Sequence, residues 1–194
     1  FEYVYGNPVS TLREELASDA GPLVTLHHVD GLGRSRGVMI GAGGGRWHTS
    51  EITAFGARGW PARVLYPQEE RSADLPEADS GPATSFTYDA TGRELTETEV
   101  DGATRRTVYL PLQEIVWDAN DTDPGSMHHD TPTTVRSDGL DRLTSVTRSA
   151  EDGDHTTTYR HDSLDNLLSF TDAQGTERRY TYDGLSRLLS IDDP

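Results

Sequence analysis

The sequence predicts an all-β fold in which antiparallel β-hairpins repeat and lie side by side as a curved strip. Three observations carry this. One short pattern, a β-prone run closed by Asp and a turn, recurs as LHHVDGLGRSRGV, SFTYDATGRELTE, TVRSDGLDRLTSV, TYRHDSLDNLLSF and RRYTYDGLSRLL. Asp138, Asp162 and Asp183 stand 24 and then 21 residues apart, a spacing that marks a repeat architecture. Apolar residues make up only 33% of the chain, beside 19 Gly and 10 Pro, which suits a sheet with one buried face, one wet face and many turns.

The elements follow in order. FEYVYGNPVS begins in mid-pattern, without an initiating Met, a basic region or an apolar run. It reads as the start of a fragment of a longer chain with no signal peptide, and Tyr5-Gly6-Asn7-Pro8 as the tail of a repeat. Thr11 to Ala20 holds helix formers, but it is short and lies between strand-like stretches, so a strand is expected. Val29-Asp30 heads a first full copy. Gly41-Ala42-Gly43-Gly44-Gly45 follows Val38-Met39-Ile40 as a hairpin tip; it lacks the Lys-Ser/Thr of a phosphate loop. Phe55-Gly56-Ala57-Arg58-Gly59 is a worn copy, and Tyr88-Asp89 heads a clear one. Trp117-Asp118, 20 residues before Asp138, reads as another head. Long surface loops are expected near 66–82, which is acidic and Pro-rich, and 118–132. Residues 1–194 are thus expected to form a single repeat region.

Each unit has its own physical logic. Thr and Tyr in TERRYTY fit a pleated surface, with Tyr180 and Tyr182 on one face. Asp183-Gly184 supplies the turn: Asp bonds nearby backbone and Gly accepts positive φ. Leu188, Leu189 and Ile191 begin the return strand. The corners Asp172-Ala173-Gln174-Gly175 and Glu151-Asp152-Gly153-Asp154 form a second kind of turn, and the alternation implies a meander. The candidate site residues are therefore turn residues with a structural role: Asp30, Gly31, Gly33 and Arg34; Tyr88, Asp89, Gly92 and Arg93; Asp138, Gly139 and Arg142; Asp162; and Tyr182, Asp183, Gly184 and Arg187. A repeated Arg beside a repeated turn Asp reads as an ion pair closing the hairpin rather than as an anion site.

Several chemistries are disfavoured. A net charge of −16 repels phosphate backbones and anionic membrane surfaces, so neither nucleic acid nor membrane is an expected partner. Without Cys there are no disulfides, thiolate nucleophiles or Cys-based zinc sites. No apolar run is long enough to span a bilayer as a helix. Asp118, Asn120, Asp121 and Asp123 gather oxygen ligands that suit calcium and faintly resemble a cadherin linker, but they miss the EF-hand order, and a solvated turn is the plainer reading. His27-His28 and His128-His129, read as strand neighbours, point to opposite faces and make poor metal pairs. No G-x-S-x-G elbow is present. No metal, cofactor or catalytic residue is assigned, and the protein is expected not to be an enzyme.

The motif Y-D-x-x-G-R resembles that of the YD-repeat, or RHS-repeat, proteins. It is carried by Tyr88 to Arg93, Val29 to Arg34 and Tyr182 to Arg187, while Asp138 to Arg142 and Asp162 to Asn166 keep the frame. RWHTSEITAFGARGWPARVLYPQ, DANDTDP and TVRSDGLDRL also resemble the B-type subunit of bacterial insecticidal Tc toxins. The resemblance implies a β-hairpin strip spiralling into a hollow shell that encloses a toxin polypeptide. It implies secretion as part of a larger toxin, with neighbouring repeats, the enclosed polypeptide and other toxin subunits as partners. The family's self-cleaving aspartyl region has no match here, since Asp123-Pro124-Gly125 and Asp192-Asp193-Pro194 lack its context. A competing expectation is an extracellular adhesion or recognition module, because related repeats occur in cell-surface proteins.

Overall fold

The structure is a computed structural model that describes residues 2–4, 9–17, 22–77 and 79–194. Among these the fold is nearly all β, with antiparallel strands and one short helix. Tyr5 to Pro8 fall outside the described residues. The chain divides into two compact units, Phe1–Gly102 and Ala103–Pro194.

The first unit opens with β1 (Glu2–Val4), β2 (Val9–Leu16), β3 (Leu23–Asp30), β4 (Ser35–Gly43) and β5 (Arg46–Thr49). They lie side by side in chain order, and β8 (Glu69–Glu70) adds to β5. The helix formers of β2 are overridden because its strand is zipped to β3 from Val9↔Asp30 to Leu16↔Leu23. Gly44 and Gly45, both at positive φ, turn β4 into β5 across the pair Gly43↔Arg46, so the glycine run is a hairpin tip. A second set, β6 (Ile52–Phe55), β7 (Pro61–Leu65), β9 (Ala83–Tyr88) and β10 (Glu94–Thr98), runs in the order β10-β9-β7-β6.

The core of the unit lies between β4 and this second set. Met39, Ile52 and Leu65 are fully buried, and Leu26, Ala54 and Ala83 nearly so. Gly37 admits the crossing, because a Cβ there would meet Ile52 Cγ1 at 3.0 Å. The expected loop at 66–82 is more engaged than its composition suggests. It contributes β8, Thr49 N donates to Gln68 O at 2.9 Å, and Leu75 packs on the Ile52–Leu65–Ala83 cluster. A few apolar residues are enough to pin an acidic segment.

The second unit is a meander. β11 (Thr104–Leu110), β12 (Gln113–Trp117), β13 (Thr133–Ser137), β14 (Leu143–Arg148), β15 (His155–His161), β16 (Leu167–Thr171), β17 (Glu177–Tyr182) and β18 (Leu188–Asp192) pair strictly with their chain neighbours. Between β12 and β13 stands α1 (Ala119–Thr122). Alternation gives the sheet two unlike faces. The pairs Val135↔Val146, Tyr159↔Phe170 and Tyr180↔Ile191 lie on one. The other carries Ser145↔Thr158, Thr147↔Thr156, Thr158↔Thr171 and Thr181↔Ser190, with hydroxyl contacts of 2.9 Å for Thr147–Thr156 and 2.6 Å for Thr181–Ser190. Among the described residues of this unit no large apolar side chain is fully buried. That is the mark of a single sheet, which explains the low apolar fraction.

Candidate functional site

The repeated Asp positions share one geometry. Asp183 Oδ1 accepts from Leu185 N at 2.9 Å and Arg187 N at 3.0 Å, while Oδ2 accepts from Arg187 Nε at 2.7 Å. Asp183 N donates to Arg187 O at 2.9 Å and Ser186 N to Asp183 O at 3.0 Å, closing the loop on its backbone. Asp30 with Leu32 and Arg34, Asp89 with Thr91 and Arg93, and Asp138 with Leu140 and Arg142 repeat the arrangement. In Asp162's turn Asn166 Nδ2 takes the place of the guanidinium at 2.8 Å. The residue three past the Asp is left-handed in every case: Gly33, Gly92, Asp141, Asp165 and Ser186.

That position corrects one expectation. Gly31, Gly139 and Gly184, directly after the Asp, are not at positive φ. The Asp side chain holds the two following residues in ordinary backbone, and the left-handed step comes later. Gly92 is the glycine most tightly required, with φ +93° and Trp60 Cζ2 2.7 Å from where a Cβ would stand. A bulge accompanies these turns, with register shifts between Thr181 and Tyr182, Arg136 and Ser137, and Arg160 and His161.

Two turns join the set. Asp172 accepts from Gln174 N and Thr176 N, both at 2.9 Å, and Gly175 has φ 85°, so this corner uses the same frame instead of a second kind. The worn copy closes with Gly56 N to Trp60 O at 2.8 Å and no side-chain acceptor. Conversely, Trp117-Asp118 does not head a hairpin. Asp118 caps α1, accepting from Asn120 N at 2.8 Å and Asp121 N at 3.0 Å, while Asp121 Oδ2 accepts from Asp118 N at 2.9 Å. The D-x-x-D spacing does not set it apart in the sequence, since Asp138–Asp141 and Asp162–Asp165 share it and head hairpins.

The arginines extend beyond their own turns. Arg34 Nη1 donates to Gly59 O at 2.8 Å in the next turn, and Arg142 Nη1 to Asp162 O at 2.6 Å. Arg34 and Arg142 side chains are 32% and 20% exposed, against 53% for Arg93 and 73% for Arg187. The guanidinium therefore closes one hairpin with Nε and stitches it to its neighbour with Nη1. Electrostatics agree. The Arg142 side-chain hydrogen bond holds the Asp138 carboxyl at about 2. At Asp89 burial works upward, but the Thr91 and Arg93 hydrogen bonds outweigh it and leave the carboxyl well below the usual range. Asp162, through Asn166, and Asp183, through the Arg187 backbone and side chain, are also lowered.

The other candidates are used locally. Asp123 Oδ1 accepts from Gly125 N at 2.8 Å and Asp121 Oδ1 from Thr131 Oγ1 at 2.7 Å, so the 118–123 oxygens face their own backbone and neighbours. Among the described residues no group of three or more His, Asp or Glu is placed to hold a metal. His128-His129 lie in a turn, not a strand, because the loop between α1 and β13 coils back onto Asp121. His28 is buried, with Nδ1 3.1 Å from Thr11 Oγ1, whereas His27 is half-exposed.

The RHS Repeat family model matches residues 161–194, which span the Asp162, Asp172 and Asp183 turns. Residues 161–194 carry an RHS repeat. The crystal structure of TcdB2-TccC3-TEV covers 95% of the chain at TM-score 0.65 and 17% identity. The Photorhabdus luminescens Tc holotoxin pore with mutated TccC3 covers 95% at TM-score 0.65 and 18% identity. At such identity the likeness is one of fold. The chain spans about 12% of the length of those chains. No curated protein matches it.

Proposed function

We propose that this chain is a segment of the wall of an RHS-repeat shell that encloses a toxin polypeptide, and that its role is containment. The observation that carries the reading is the stitched row of hairpins: in the second unit consecutive strands pair in one sheet, and Arg142 ties one turn to the next. The RHS repeat at 161–194 and the fold likeness to Tc toxin structures support it. On this reading residues 1–194 are one repeat region, the Asp and Arg of each turn are structural, and no residue is catalytic. The partners are neighbouring repeats, the enclosed polypeptide and other subunits of a secreted toxin complex.

The test is limited proteolysis of the full-length protein that contains this chain. A polypeptide inside a wall resists protease until the wall is opened, and Arg142→Ala with Arg34→Ala lets it be cut sooner. Cleavage at the same rate as for the free polypeptide would overturn containment. Binding of the intact protein to cells, with no protected polypeptide, would favour the adhesion reading.

A further inference from the structure

The first unit holds a notch beside its stitched turns. It is a cavity of about 410 Å³ between the Gly56–Pro61 corner and the end of β9, with Trp60, Phe86 and Tyr88 as its aromatic walls. The Trp60 and Tyr88 rings stand 5.4 Å apart and open at 47°. Across the β9–β10 ladder Glu94 pairs with Tyr88 and Glu97 with Phe86, which sets carboxylates on the same face as the rings. Burial first, then these two carboxylates, push the Tyr88 hydroxyl up from its ordinary value.

Two other aromatic faces carry a close internal cation, with Arg34 4.0 Å over Phe55 and Arg106 4.0 Å over Trp117, while Arg178 stands 5.6 Å from Phe170. At the notch the internal cation falls short. Arg58 is exposed, stands 5.8 Å from the Trp60 centroid, and among the described residues donates a hydrogen bond to Asp89 O at 3.5 Å. An open aromatic pair backed by carboxylates attracts a cation through ring quadrupole and charge together. The small apolar walls of Ala57, Pro61 and Ala62 suit a methylene stem behind a charged head.

We propose that the Trp60–Phe86–Tyr88 notch binds an arginine or lysine side chain of a basic polypeptide segment, with Arg58 as a loosely held internal competitor. This goes beyond containment and does not depend on it. The test titrates the 194-residue chain with a short Gly-Arg-Gly peptide amide and with its citrulline counterpart, which has the same shape without the charge. Binding is followed by calorimetry and tryptophan fluorescence. The arginine peptide should bind about tenfold more tightly than the citrulline peptide. Arg58→Ala should tighten binding severalfold and Glu97→Gln should weaken it, with melting temperature unchanged in both. Equal affinity for the two peptides, no binding to the Arg58→Ala chain, or no effect of Glu97→Gln would overturn the assignment.

Discussion

Ser186 has φ 60° at a position where Gly33, Gly92 and Gly175 stand in sister turns. An L side chain there costs about 1–2 kcal/mol relative to ordinary backbone, part of which Gly gives back as unfolded-chain entropy. Ser186→Gly should therefore raise the melting temperature by a few degrees in a calorimetric scan, because the Ser186 N–H to Asp183 O bond is retained. The carboxylates give a pH dependence of definite sign. Asp138 is held at about 2, against 3.8 for the free side chain, so the folded form binds a proton less readily than the unfolded one. Its contribution is present in full above about pH 4 and is lost as pH falls toward 2. Asp162 and Asp183 act in the same direction. Acid titration by circular dichroism should show stability falling across that window, with a shallower slope in Asp138→Asn.

At the level of elements, the core between β4 and the β6–β7–β9 set is small. Ile52 and Leu65 are fully buried and Leu75 covers them from the 66–82 segment. Ile52→Ala should cost about 2–5 kcal/mol, with amide exchange accelerated in β4, β6, β7 and β9 while β11–β18 keep their protection. The hairpins were legible in the sequence because period-two alternation and Asp-headed turns are local signals. The frame of the turn was less so. Asp183-Gly184 looks like a glycine-driven turn, yet the strained step falls at Ser186, since the Asp side chain dictates the backbone that follows. Asp172 read as a different corner because no Tyr or Arg flanks it, although its carboxylate makes the same bonds. Asp118 read as a turn head because a cap and an Asx-turn begin with the same residue. In the structure Asp118 Oδ1 accepts from the N–H three residues on and Asp121 Oδ2 from Asp118 N, whereas a hairpin Asp accepts from the N–H four residues on.

For the molecule as a whole, pairing strictly between chain neighbours makes the second unit extensible and leaves β18 as an edge. β18 pairs on one side, with β17, and Leu189 and Ile191 are 66% and 54% exposed. Such an edge templates further strands. Light scattering of the 194-residue chain should show association that rises with concentration, and Ile191→Lys should reduce it. What the sequence left hidden at this scale was the stitching between turns, because Arg34–Gly59 and Arg142–Asp162 join residues 25 and 20 positions apart.

The turn frame is held by the backbone N–H groups two and four residues past each Asp, so, apart from Thr91, whose hydroxyl donates to Asp89, the side chains at the tip carry little of the frame. Gly31-Leu32, Ala90-Thr91, Gly139-Leu140, Ser163-Leu164, Ala173-Gln174 and Gly184-Leu185 are all exposed. These tips are places where residues can drift, or be exchanged for a fluorophore or an affinity tag, without disturbing the scaffold. A surface of this kind can change its antigenic appearance quickly while everything beneath it stays the same.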